Sequence, residues 1–315
     1  MKNRRNALTI PLSRRAAFAG GAAGLMGLGL AACGGNGGSG GDGSADGGSG
    51  NGKTITLGYI ASWTDGLSTA YLLDDRLTAM GYTVEHEQIA DAALLYTALA
   101  NGDVDIYPSA WPEVTHASYM EEYGDSIEDL GAYYPNAKLT IAVPDYVDIT
   151  SIADLKGQGD RFGGRIVGIE PGAGLTKATQ EQVMPQYGLE DEYELVTSST
   201  TAMTTELAGA VEDQKDIVVT LWRPFWANSA YSVKDLEDPL GALGESEALH
   251  FLAREGFGDD FADAAEFIGG ITLDDAQYGS LEDKVVNEFG EGQEAEAIDS
   301  WLEENPDVLP VVDEG

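Results

Sequence analysis

The 315-residue chain is poor in positive charge, with 17 Lys and Arg against 54 Asp and Glu, a formal net charge of −37. A nucleic-acid binder needs a basic surface to displace phosphate counterions, so that class is excluded. Docking on an anionic membrane through a polybasic patch is excluded for the same reason. Cysteine is nearly missing: Cys33 stands alone. An internal disulfide framework and a thiolate zinc cluster are therefore both ruled out. Histidine is scarce, at three residues, and none is spaced with Asp or Glu as in a helical metal motif. The GxSxG string at Gly37–Gly41 lies in a glycine run and not between a strand and a helix, so it is no nucleophile elbow. The sequence thus indicates no catalytic residues, no metal and no cofactor.

A long apolar stretch occurs once, from Ala16 to Ala32, and it is short and glycine-rich for a permanent membrane span. Lys2, Arg4, Arg5, Arg14 and Arg15 precede it, which is the layout of a secretory signal. Leu30-Ala31-Ala32-Cys33 resembles a bacterial lipobox, whose cysteine becomes the lipidated first residue of the mature chain. Ser13-Arg14-Arg15 with Phe18 resembles a twin-arginine export signal, with the phenylalanine one place late, so general secretion stays open. Eleven of the nineteen residues from Gly34 to Gly52 are glycine, which offers no side chains for a core and makes a flexible tether. Residues 1–32 therefore read as a signal peptide and 33–53 as the lipid-acceptor cysteine and tether. The domain beyond would be exported and held by lipid alone to the outer face of the cytoplasmic membrane. Removing the signal leaves 12 basic and 54 acidic residues, a charge of −42.

From Thr54 onward, strand and helix patterns alternate. Thr54–Tyr59, Tyr82–Ile89, Val104–Tyr107, Lys138–Val143, Arg165–Ile169, Ile217–Leu221 and Ala248–Ala253 read as strands. Leu67–Met80, Ala92–Ala100, Ile152–Leu155, Leu175–Tyr187 and most of 273–305 read as helices. This order predicts an α/β domain with a largely parallel sheet. Two such units followed by a helical return predict two lobes, 54–143 with 248–315 and 144–247. The crossings are expected at Lys138–Pro144 and Ala248–Arg254, and the ligand in the cleft between lobes.

Three of five tryptophans, Trp63, Trp111 and Trp222, follow predicted strands beside turn residues. Ligands bind at the carboxyl ends of α/β strands, so these aromatics are placed to line a pocket; the plainer alternative is that each caps a core. Trp226 and Trp301 lie in or beside helices and read as core. A quaternary ammonium has no N–H to donate, but ring faces attract it at roughly 0.5–2 kcal/mol each. Pro171-Gly172-Ala173-Gly174-Leu175-Thr176 joins a strand to a helix, where backbone N–H groups favour an anion. It is not a phosphate-binding Walker loop, and a tight turn alone would also explain it. His116, five residues after Trp111, could donate a hydrogen bond to such an anion. His86 reads as exposed and His250 as structural. His116 with Glu113 would make an acid–base pair, but no nucleophile accompanies it.

Taken together, GYIASW (58–63), ANGDVDIYPSAWPEVTH (100–116), LTIAVPDYV (139–147), IVGIEPGAGL (166–175), VVTLWRPFW (218–226), LEDP (236–239) and HFLAREGF (250–257) resemble the glycine betaine substrate-binding proteins of ABC importers, the ProX/OpuAC-like group. The resemblance covers nearly all of 54–310. It implies a two-lobed periplasmic-binding-protein fold of type II that closes on its ligand. It also implies that Trp63, Trp111 and Trp222 surround the trimethylammonium group, and that His116 with the N–H groups of Gly174 and Leu175 holds the carboxylate. Phe225 departs from the histidine frequent in relatives, which touches local packing only.

The expected function is an extracellular receptor, monomeric, that captures glycine betaine or a related osmoprotectant and delivers it to a permease powered by a separate ATPase. Choline, carnitine and proline betaine are alternative ligands. An extracellular choline- or betaine-ester hydrolase and a sensory module are the alternatives from other classes.

Overall fold

The computed structural model describes residues 53–311. Cys33, the signal segment and the tether lie outside the described residues. Nine strands form one mixed sheet: β1 (Thr54–Tyr59), β2 (Thr83–Gln88), β3 (Ile106–Ala110), β4 (Ile127–Pro144), β5 (Arg165–Val167), β6 (Glu194–Val196), β7 (Val219–Arg223), β8 (Val233–Asp235) and β9 (Glu247–Arg254). Their order is β2-β1-β3-β9-β4-β7-β5-β6, with β8 also on β4. The outer strands run parallel as expected, β2-β1-β3 at one end and β7-β5-β6 at the other. The middle does not: β9 is antiparallel to β3 and β4, and β4 to β7 and β8.

Strand β4 ties the two halves together. Ile127 to Ala137 pair with β9, and Lys138 to Pro144 pair with β7 or β8. The expected crossing at Lys138–Pro144 is thus the second part of a much longer strand. Its first part breaks register three times between Asp129 and Ala137. Each bulge shifts the alternation of faces, so a two-residue period cannot be read there. The other expected crossing, Ala248–Arg254, is corrected: β9 pairs only with β3 and β4, and the chain returns before it, between β8 and β9.

Local chemistry accounts for most boundaries. Asp91 caps helix Ala92–Asn101 by accepting the Leu94 N–H at 3.0 Å, and Gly102 ends it at φ 74°. A Cβ at Gly58 in β1 would lie 2.9 Å from the Leu95 side chain and 3.0 Å from that of Val104, so glycine there lets the helix pack closely on the strand. The helix expected from Leu67 begins at Thr64, directly after Trp63. Helix Thr200–Glu212 has no counterpart in the sequence expectation. It carries four Thr and one Gly, poor helix formers, and is held by the Ser199 cap and by buried Met203 and Leu207. The C-terminal helices Asp275–Asp283 and Glu294–Glu304 pack on helix Thr64–Ala79 in the first half of the molecule. Trp301 is fully buried there, as expected, whereas Trp226 is only half-buried.

Candidate functional site

The parallel pair β1 and β3 sets two tryptophans at one edge of the sheet. Trp63 stands in the turn between β1 and helix Thr64–Ala79, and Trp111 follows β3 directly. Trp222 comes from the other half. It lies on β7 rather than after it, opposite Leu139 of β4. All three line one cavity of about 330 Å³ empty volume, together with Asp65, Thr115, His116, Leu139, Ile169, Ala173, Gly174 and Leu175. The six residues singled out in the sequence therefore meet, and both halves of the sheet contribute.

The indole N–H groups are taken up by carboxylates. Trp63 Nε1 donates to Glu170 Oε2 at 3.1 Å and Trp111 Nε1 to Asp65 Oδ2 at 3.2 Å. Trp222 is braced from behind by Phe225, ring centroids 4.0 Å apart, so the departure at position 225 does act on local packing. With the polar edges of Trp63 and Trp111 occupied, the apolar faces of these rings remain for a ligand, and a face carries the negative part of the ring quadrupole.

His116 is buried, and burial pushes its imidazole down to about 3. Its Nδ1 receives the Trp111 backbone N–H at 3.2 Å and lies 3.1 Å from the Tyr96 hydroxyl. A backbone N–H can only donate, so Nδ1 is an acceptor and the ring proton sits on Nε2. The result is a neutral histidine with one N–H left to give. Its ring stacks on Trp63 at 6.2 Å and 14°. Glu113 does not engage His116; its carboxylate accepts the Ala248 N–H at 3.1 Å.

Gly174 and Leu175 open the short helix Gly174–Ala178. Among the described residues neither N–H has an acceptor. A Cβ on Gly174 would lie 2.3 Å from the Thr115 carbonyl oxygen, so glycine there is a condition for the two halves to meet. Gly172, read from the sequence as shaping the same loop, has no such constraint, with its nearest neighbour at 3.5 Å.

Asp65 was not singled out in the sequence. It is buried, its Oδ2 accepts from Ser109 Oγ at 2.7 Å, and its Oδ1 has no partner among the described residues. Burial raises its carboxyl above the usual range, and the Ser109 and Trp111 hydrogen bonds oppose that only in part. The cavity thus combines aromatic rings and an acid with N–H donors. Behind it, Glu282 bonds to the Thr64 hydroxyl and is pushed up to about 8, by burial first and by Asp65 to a lesser degree.

The remaining histidines serve structure. His250 bonds Asp129 at 2.9 Å, as its expected role requires. His86 corrects the expectation of exposure. It is half-buried between the Tyr59 hydroxyl and Asp74, at 3.1 Å from each, because helix Thr64–Ala79 covers that face of β2. Among the described residues no cluster of three His, Cys, Asp or Glu side chains could hold a metal, and no helix is long and apolar enough to cross a membrane.

Residues 53–304 match the family described as the substrate binding domain of ABC-type glycine betaine transport systems. The chain is 34% identical over 155 residues to the glycine betaine/carnitine transport binding protein GbuC of Listeria monocytogenes, a match covering 48% of this chain and 50% of that protein. It thus spans about half the length of that relative. The glycine betaine/L-proline-binding protein ProX of Borrelia burgdorferi superposes with a TM-score of 0.76 at 33% identity, covering 82% of this chain and 97% of that one. Lactococcal OpuAC, in its closed form with glycine betaine, gives 0.74 at 30% identity, covering 81% and 96%. A choline-binding protein with choline gives 0.69 at 23% identity, covering 80% of this chain and 89% of that one, a likeness of fold.

Proposed function

The chain belongs to the family of substrate-binding domains of ABC-type glycine betaine transport systems and has their two-lobed type II fold, and from that premise we propose that it binds glycine betaine itself, in the cavity lined by Trp63, Trp111 and Trp222. The carrying observation is the convergence of three indole faces with a neutral histidine donor in one cavity. In this reading the rings and Asp65 take the quaternary ammonium. His116 Nε2–H and the N–H groups of Gly174 and Leu175 take the carboxylate. A ligand touching both lobes favours the closed form, so binding and closing are coupled. The lobes are 54–143 with 248–315, and 144–247. Export by the signal at 1–32 and lipidation at Cys33 would keep a monomeric receptor beside its permease, whose ATPase supplies the energy.

Calorimetry with glycine betaine, proline betaine, carnitine and choline tests this directly. Trp111→Ala should weaken betaine binding at least about tenfold, the loss of one cation–π wall of about 1–2 kcal/mol. Wild-type affinity in that variant would remove Trp111 from the cage. His116→Ala should hurt glycine betaine more than choline, which has no carboxylate; equal losses would take away the role of His116 as anion donor. The choline reading draws on the fold likeness to a choline-binding protein, and a wild-type preference for choline would favour it.

A further inference from the structure

Glu170 lies at the junction of the two proposed lobes without lining the ligand cavity. It follows β5 and opens the loop that leads to Gly174. Its backbone carbonyl accepts the Ala173 N–H at 3.1 Å and the Thr176 hydroxyl at 2.8 Å, so it shapes the anion loop from within. Its carboxylate is buried and takes four donors. Two come from its own side, the Thr200 N–H and hydroxyl, each at 2.9 Å. Two come from the facing side, Ser62 Oγ and Trp63 Nε1, each at 3.1 Å. Trp63 is therefore pinned across the cleft by the residue that starts the anion loop.

We infer that Glu170 is a positioning residue that latches the closed form: it locks the Trp63 ring into the cage when the lobes meet, and so couples the cation wall to the anion loop. The inference rests on the proposed betaine site. If the halves part when the protein opens, the Trp63 indole N–H leaves Glu170, so on this proposal that wall becomes fixed on closing. Breaking the latch should leave encounter untouched and speed release, because the contact exists only after closure.

Stopped-flow binding of glycine betaine to the exported domain tests this with Glu170→Gln, Trp63→Phe and the double variant. Gln offers one acceptor oxygen to four donors, and Phe keeps a ring but removes the N–H. Each single variant should release ligand about ten times faster, the loss expected for a hydrogen bond to a charged group. For Glu170→Gln, which does not line the cavity, the association rate and a stoichiometry of one ligand per chain should stay as in wild type. The double variant should be little worse than the more damaging single one. A reduced stoichiometry with normal release would mean damaged folding instead, and it would overturn the latch. So would multiplying losses in the double variant, or normal release in Glu170→Gln. Wild-type protein that binds betaine alongside any of these results leaves the betaine reading standing. Wild-type protein that binds none overturns that reading and the latch with it.

Discussion

Two walls of the cavity use the same device in different places. Trp63 and Trp111 both follow parallel strands, and both give their indole N–H to a buried carboxylate. For Trp111 the carboxylate is Asp65, only two residues after Trp63 and in the same half of the sheet. For Trp63 it is Glu170, from the opposite half. A wall pinned within its own half is built before the ligand arrives, and a wall pinned across the cleft is completed on closure. Under the proposed betaine site, the contrast would give the Trp111 side to first capture and the Trp63 side to retention.

The largest effect should come from blocking the approach of the halves. Gly174→Ala would place a methyl group 2.3 Å from the Thr115 carbonyl oxygen, a backbone atom with little room to yield. Affinity should fall more than about a hundredfold, since contacts from the second half would be lost together. Gly172→Ala meets nothing closer than 3.5 Å and should bind nearly as wild type. Equal calorimetric affinities for the two variants would mean that the lobes close less tightly than this geometry requires, and the contrast between the walls would dissolve.

Next in size is the acid under the prebuilt wall. A carboxylate ~5 Å from a cation at an effective dielectric of ~20 attracts it by about 3 kcal/mol, and desolvation takes back part of that. Asp65→Asn should therefore weaken glycine betaine binding at least about tenfold. The sign of the pH effect follows from the raised carboxyl. Proton and ligand cation compete for Asp65, so wild-type affinity should fall as pH falls, and the Asn variant should lose that slope. An unchanged slope would move the pH dependence elsewhere and leave the Trp111 wall without its charge.

These carboxylates were the part of the site that the sequence hid. The tryptophans, His116 and the Gly174 loop were legible because large aromatics beside turn residues are rare and conspicuous. Asp65 stood in plain view in Ser62-Trp63-Thr64-Asp65-Gly66 and read as a turn residue. With 54 acidic residues in the chain, one more Asp or Glu gives no contrast. What separates Asp65, Glu170 and Glu282 from the rest is burial, which is set by packing between distant segments: Glu170 and Trp63 are 107 residues apart. The same reason explains β4, where bulges leave residues such as Leu130 and Tyr133 without a partner on β9 and erase the local period. Of the outer parallel strands, β1 and β2 carry undisturbed patterns and were read nearly to the residue, β3, β5 and β7 were placed with ends two or three residues off, and the three-residue β6 was missed because it is too short to show a period.

The smallest effect on affinity, though not on stability, should come from Glu282, which does not line the cavity and whose titration is read together with that of His116. His116 is pushed down to about 3 from an unfolded value near 6.5. Between those values the unfolded chain holds a proton the folded one lacks, so stability rises with pH across that window. Glu282 is pushed up to about 8 from a value near 4.5. There the folded chain keeps a proton the unfolded one has lost, so stability falls as pH rises from 4.5 to 8. Where the windows overlap the two slopes oppose each other, and above 6.5 Glu282 is joined by His250, whose imidazole is held above its usual value by the Asp129 hydrogen bond and whose contribution to stability is also lost as pH rises. The Glu282 share of the loss in denaturant unfolding between pH 6.5 and 8 should be about 2 kcal/mol, 1.36 kcal/mol for each pH unit. Glu282→Gln, which keeps an acceptor for Thr64 and cannot ionise, should remove that share while binding betaine as wild type. A slope unchanged in this variant would clear Glu282 of responsibility for it. A share that disappears together with betaine binding would place Glu282 in the prebuilt wall alongside Asp65, and the contrast between the walls would then involve two acids on one side.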